Sequence, residues 1–261
     1  MSTPSTTLSP ETGEQLLLHH FGDLEQQHLS SSLGMWFFLA SEVMFFTGMI
    51  AAYAVYRALS PEAFHLASLH IDKWLGFFNT WVLLTSSWTM ALAVRCTQVG
   101  DRRGILRYLL LTAVFGTAFL GVKAYEYGTK IEHHLFPGPH FVVPGSPRDV
   151  HATEEGAGDA AHASDYQKLR DASMVDGQLD VKEFANNLGR FQLMFVLYFF
   201  MTGIHAFHMI IGIVLILLFA VLTKLHWFSG YGQTQIEMLG LYWHFVDVVW
   251  VFLYPLLYLI E

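Results

Sequence analysis

Apolar residues in this chain gather in five long blocks rather than in periodic stripes. The blocks cover residues 33–57, 74–94, 105–127, 191–223 and 236–260. About 20 residues, rising 1.5 Å each, cross the roughly 30 Å of hydrocarbon in a bilayer. The runs are continuous and lack the roughly ten-residue alternation of a membrane β-barrel strand. In lipid a helix satisfies its own backbone polar groups segment by segment. The pattern therefore predicts an all-α integral membrane protein, a bundle of five transmembrane helices filling residues 33–261. A polar segment over residues 1–32 precedes it, and one long loop over 131–187 interrupts it.

Composition agrees. Hydrophobic residues make up 53% and charged residues only 14%, against about a quarter charged in soluble domains. The opening MSTPSTTLSPETGEQ has no basic stretch followed by an apolar core, so the first spanning helix is expected to direct insertion. Cys96 is the single cysteine, which excludes an internal disulfide framework and a multi-cysteine metal cluster. Orientation follows from short-loop cations. The connection RCTQVGDRRGILR carries Arg95, Arg102, Arg103 and Arg107 and is expected in the cytoplasm, against a weaker competing pair, Arg57 and Lys73, around residues 58–73. Five crossings then put the N-terminus inside, and the 131–187 loop and the C-terminus outside.

The formal charge of -8 owes much to that loop, where ten acids face four bases. Its middle, HATEEGAGDAAHAS, reads as flexible, and its five histidines, His133 and His134 among them, have no spacing that compels metal binding. Further on, Asp176, Gly177, Asp180 and Glu183 have the late spacing of an EF-hand calcium loop. The first two ligand positions would fall on Ala172 and Met174, which offer no carboxylate. A short acidic amphipathic helix is the expectation there.

Ionisable side chains inside a bilayer cost roughly 2.5 to 3.5 kcal/mol on insertion scales unless paired or neutralised, so they mark either function or compensated structure. Glu42 stands nine residues into the first block, about 13 Å along a helix. It is either a proton-exchanging or gating group, or a protonated acid bonded to a serine, histidine or carbonyl. His205 and His208 stand three apart near the middle of the fourth block and share a helix face. Interhelical hydrogen bonding is the plain reading; a haem held between one of them and His244 is the sharper one, without the second tier of histidines that a two-haem cytochrome needs. His244 and Asp247 are also three apart, so the carboxylate can accept from the imidazole, as a structural pair or as the unit of a proton relay. Lys123 and Glu126 read as a local ion pair near the membrane interface. No phosphate-binding loop, nucleophile elbow or zinc motif occurs, and no basic stripe suited to nucleic acid.

Five segments taken together resemble a known family. They are SEVMFF at 41–46, FNTWVLLTSS at 78–87, KAYEY at 123–127, TGIHAFHMIIG at 202–212 and YWHFVDVVWVFLY at 242–254, the last distinctive by itself. In this order and on all five blocks they resemble subunit III of the haem-copper respiratory oxidases, in its five-helix bacterial form. The resemblance implies a catalytically silent subunit of a cytochrome c oxidase in the bacterial cytoplasmic membrane. It would bind no haem or copper of its own, those centres lying in partner subunits, with subunit I the main contact and subunit II nearby. It would hold phospholipid and sustain proton uptake and the lifetime of the complex. Glu42 would match the family's buried glutamate near the proton entry of the neighbouring subunit. Two departures stand out. The mitochondrial type has seven helices, and this chain matches the last five. The loop between KAYEY and GRFQ is also far longer than usual, and could touch a cytochrome c donor or a neighbouring respiratory complex. Within the family the rivals are a quinol oxidase subunit and a nitric oxide reductase accessory protein. Outside it, the rivals are a membrane cytochrome and a small transporter using Glu42, His205 and Asp247 as a proton-coupled site.

Overall fold

The structure is a computed structural model that describes residues 24–138, 141–143, 146, 163–175, 178–225 and 232–259. The chain is predominantly helical. Five helices are long and apolar enough to cross a membrane: α1 Leu24–Leu59, α3 Lys73–Val99, α4 Arg102–Glu132, α6 Val181–Lys224 and α7 Gly232–Tyr258. A short helix, α2 Pro61–Ser68, lies between the first two, and α5 Ala163–Asp171 lies in the long loop. After α5 come two antiparallel strands, β1 Met174–Val175 and β2 Gln178–Leu179, with Met174 opposite Leu179.

Each helix starts before the apolar block that predicted it, and all but α7 also run past its end. Hydropathy reports what tolerates lipid, whereas the helix continues through Gln, Arg and Glu, which have good helix propensity. The longest is α6, whose 44 residues span about 66 Å, twice a hydrocarbon core.

Side-chain caps set the other boundaries. Asp72 Oδ1 accepts the amides of Trp74 and Leu75 at 2.9 and 3.2 Å and starts α3. Asp101 Oδ1 accepts the Arg103 amide at 3.1 Å and starts α4. Between α3 and α4, Gly100 takes φ 76°, a left-handed turn open to a residue without Cβ. The expected short acidic helix around Asp176 to Glu183 is not what forms. Residues 174–175 pair with 178–179 as strands, and Asp180 caps α6 by accepting the amides of Lys182 and Glu183 at 2.9 and 3.2 Å. Glu183 faces Arg190 at 3.6 Å. Its spacing from Asp180 is that of a helix cap, not of a calcium loop. Asp176 and Gly177 lie outside the described residues, as do residues 151–162 of the stretch read as flexible.

Packing divides the chain into two compact units. The first comprises Met1–Phe45, Leu83–Thr117 and Met209–Asp247. Its centre is the indole of Trp243 on α7, fully buried. Gly116 on α4 and Gly212 on α6 make the slot: a Cβ at either would stand 2.7 or 2.8 Å from ring carbons of Trp243. Small residues let helices approach this closely in membranes. The indole Nε1 donates to Ser86 Oγ on α3 at 3.0 Å, so one side chain joins four helices.

The second unit comprises Phe46–Val82, Ala118–His208 and Val248–Glu261. Aromatic rings fill it. Phe119, Phe191, Phe195, Tyr198, Trp250 and Tyr258 are buried, with Phe119 edge-on to Trp250 at 4.8 Å. The loop elements dock here. Leu169 and Ser173 are buried, Tyr166 meets Phe184 edge-on at 5.3 Å, and Asp165 of α5 reaches His70 Nε2 at 2.8 Å.

Candidate functional site

Polar groups in the second unit collect around Glu126. Lys123 and Glu126 do form the expected ion pair, 2.8 Å apart, but both side chains are almost fully buried, at 4% and 3% exposure. The pair is part of a larger network. Lys130, one turn beyond on α4, donates to Glu126 Oε1 at 2.8 Å. From α6 and α7 the phenols of Tyr198 and Tyr258 also donate to this carboxylate. Lys123 donates onward to the same two hydroxyls at 3.0 and 2.7 Å. Its ammonium lies 5.1 Å from the ring centres of Tyr198 and Trp250 and somewhat further from those of Tyr127 and Tyr258. Such ring faces stabilise a desolvated cation by about 2 kcal/mol. The cluster thus holds two ammonium groups and one carboxylate, with the surplus positive charge met by aromatic faces and phenol oxygens.

Lys130 was within reach of sequence reasoning, four residues from Glu126 on one helix. Tyr198 and Tyr258 were not. Each sits in an apolar run, and nothing local says that its hydroxyl turns toward an acid on another helix.

His205 lies in the same unit and behaves otherwise than expected. Both ring nitrogens are buried without a hydrogen-bond partner among the described residues. Its neighbours are rings, Trp250 at 5.1 Å and Phe119 edge-on at 5.6 Å. Interhelical hydrogen bonding therefore does not describe it; aromatic packing does. His208, half-buried, faces Phe46 of α1 edge-on at 5.5 Å, and its Nδ1 donates to the carbonyl of Ile204 at 2.9 Å.

In the first unit His244 and Asp247 do not pair. His244 Nδ1 meets Ser87 Oγ of α3 at 2.7 Å. Asp247 is buried, and neither carboxyl oxygen has a hydrogen-bond partner of good geometry among the described residues; Ser87 lies beside it but is directed at His244. The imidazole takes an interhelical partner even though, three apart on one helix, the two side chains share a face. Ser87, the residue sequence reasoning missed here, lies inside the quoted FNTWVLLTSS segment. Glu42 is half-buried on α1, which begins well before it at Leu24. It lies within electrostatic reach of Tyr242 on α7, so it is neither isolated nor enclosed in a dry core.

The arrangement leaves titratable groups at Glu42, His244 and Asp247 and fixes charge at Lys123, Glu126 and Lys130. Among the described residues no three His, Cys, Asp or Glu side chains converge as they would around a metal ion.

Comparison with known proteins bears on the same helices. The sequence model of a family described as cytochrome c oxidase subunit III matches residues 22–131 and 191–261, leaving out the segment with α5 and the strands. Similar proteins include cytochrome c oxidase subunit 3 of Thermostichus vulcanus, 27% identical over 231 residues that cover 87% of this chain and 86% of that one. The probable cytochrome c oxidase subunit 3 of Nocardia farcinica is 26% identical, covering 88% of each chain. Cytochrome c oxidase subunit 3 of Alkalihalophilus pseudofirmus is 26% identical over 87% of this chain and 85% of its own.

Proposed function

The chain belongs to the cytochrome c oxidase subunit III family, and from that premise we propose that it is the non-catalytic third subunit of a bacterial aerobic terminal oxidase fed by cytochrome c. As a family member it is a multi-pass membrane protein and part of an oxidase complex. The finer reading assigns haem and copper to partner subunits, with subunit I as the main contact and subunit II beside it. This chain contributes bound phospholipid, support of proton uptake and durability of the complex. It lies in the cytoplasmic membrane with the N-terminus inside and the C-terminus outside, and the 131–187 loop faces the donor or a neighbouring respiratory complex.

The observation that carries this reading is the reach of the family match. It reaches all five spanning helices and breaks off only over residues 132–190, which hold α5, the two strands and the start of α6. The proton-uptake role draws support from Glu42, a titratable group on the most outward-facing spanning helix, where a neighbouring subunit would meet it.

Affinity purification of the tagged chain from its native membrane tests the reading. Haem absorption, copper and oxygen consumption driven by reduced cytochrome c are expected to copurify. Oxygen consumption driven only by a quinol would move the chain to the quinol-oxidase branch, and a haem-free monomer that transports a solute in liposomes would refute the proposal. Within the purified complex, Glu42→Gln should leave electron transfer largely intact while changing proton pumping or the rate of turnover-dependent inactivation. Loss of haem incorporation would instead assign Glu42 a structural role.

A further inference from the structure

The inserted helix α5 is held differently at its two ends. Past its last turn, Ser173 accepts Asn187 Nδ2 on its hydroxyl at 3.0 Å and the Asp180 amide on its carbonyl at 2.9 Å, which ties that end to the start of α6. At the other end, Asp165 in the first turn of α5 reaches His70, in the turn that follows α2, with Oδ2 and Nε2 2.8 Å apart. The backbone of that turn is set by the His70 amide donating to the Ala67 carbonyl at 3.3 Å and the Ile71 amide to that of Ser68 at 3.0 Å. Both side chains of the pair are nearly buried, at 8% and 2% exposure. His70 lies within the family match and Asp165 outside it, so the contact joins the common fold to the insertion.

The surroundings make charge decide how strong this contact is. From α6 the rings of Phe191 and Phe195 stand 6.2 and 6.4 Å from the imidazole, while the charged residues Glu183 and Arg190 of that helix face each other at 3.6 Å. From α5, Lys168 approaches the other oxygen of Asp165 at 3.4 Å and is half exposed. The same lysine lines a groove with Glu62 and His65 of α2. Histidine changes charge between about pH 5 and 8, and the dipole of a helix favours an anion in its first turn. With the imidazole protonated, the carboxylate meets a full positive charge in a water-poor site, where charge-assisted bonds are strong. With it neutral, that carboxylate leans on a longer contact to a solvent-exposed lysine. A helix of nine residues is marginal by itself in water, so the order of α5 follows the strength of its docking.

We propose that His70 and Asp165 form a proton-sensitive latch: a proton on the imidazole closes the first turn of α5 onto the turn after α2, and loss of that proton loosens it while Ser173 keeps the far end tethered. The latch follows from the geometry of this chain. That its proton comes from the side to which an oxidase releases protons rests on the function and orientation proposed above.

Hydrogen exchange of the intact complex near the two ends of histidine's range, about pH 5.5 and about pH 8, tests this. Amides of α5 are read against those of the exposed turn between α3 and α4 in the same chain, which cancels the intrinsic pH response of exchange. Protection of α5 is expected to be at least about fivefold greater at the acid end, the low side of typical coupling between linked equilibria. His70→Gln can donate a hydrogen bond but never carries the charge, so it should flatten the response, as should Asp165→Asn. Lys168→Met should widen it, because the carboxylate then relies on the imidazole alone. A flat response in the unmodified complex overturns the proposal before any variant is made. A response that survives His70→Gln or Asp165→Asn overturns it as well, and one that vanishes in Lys168→Met would make the lysine the latch instead. Haem content and oxygen consumption of the same preparations report separately on the oxidase reading.

Discussion

Glu126 is the residue on which the buried charge depends. It balances Lys123 and Lys130 and receives two phenols, so its loss would leave two ammonium groups without a counterion in a dry interior. Breaking a buried pair from one side costs about 3 to 5 kcal/mol. Glu126→Gln is therefore expected to lower the thermal midpoint of the detergent-solubilised protein sharply. The double variant Lys123→Met with Glu126→Gln should fall short of the sum of its singles by about 1 to 3 kcal/mol, the mark of direct coupling. Additive effects would deny it. A contrasting pair lies in the other unit. Asp247→Asn should shift the stability by less than about 1 kcal/mol, because the carboxyl has no well-formed hydrogen bond to lose, whereas Ser87→Ala strips a half-buried imidazole of its partner and should cost about 0.5 to 1.5 kcal/mol. Sequence located Glu126, Lys123, His244 and Asp247 because a charge in an apolar run is conspicuous. It mispaired the last two, and left out Tyr198, Tyr258 and Ser87, because a hydroxyl that turns inward looks the same along the chain as one that turns outward.

At the scale of elements, the five spans were legible because lipid demands long, continuous apolar runs. Their true lengths were not, since helix propensity carries each one past the point where hydropathy fails. The strand pair escaped notice for a different reason: two-residue strands have too few positions to show alternation. Asp180 and Glu183 were legible but ambiguous, because acids three apart serve both calcium loops and helix caps. Asp180→Ala should cost about 1 kcal/mol through loss of the cap. Its checkable sign is faster amide exchange at the start of α6, with no change on adding calcium. Deeper in the membrane, the slot for Trp243 fixes how closely α4 and α6 approach α7. Gly212→Ala places a methyl against the indole and should destabilise by about 1 to 3 kcal/mol, as overpacking does. Combining it with Trp243→Phe should recover part of that loss, and a thermal melt reads both.

For the molecule as a whole, described contacts tie the segment outside the family match to the rest. His70, within the matched region, meets Asp165, and Asp165 is also approached by Lys168 at 3.4 Å. His70→Ala leaves a nearly buried carboxylate with one half-exposed lysine, so limited proteolysis between residues 139 and 180 is expected to speed up while haem content of the complex stays constant. Unchanged cleavage would mean that the aromatic contacts of Phe141 with Phe191 and Phe195 suffice. The resemblance supplied what local reasoning could not, since partners and an electron donor leave no signature in one chain's hydropathy.

The arrangement of charges on α4 also bears on biosynthesis. A ribosome delivers this helix to the translocon before Tyr198 and Tyr258 have been made, so the phenols cannot help it enter the bilayer. Lys123, Glu126 and Lys130 lie three and four residues apart, and the carboxylate touches both ammonium groups from within the same helix. The helix brings its own counterion, enters lipid with one net charge in place of three, and leaves the later helices only to close around an acid already accompanied.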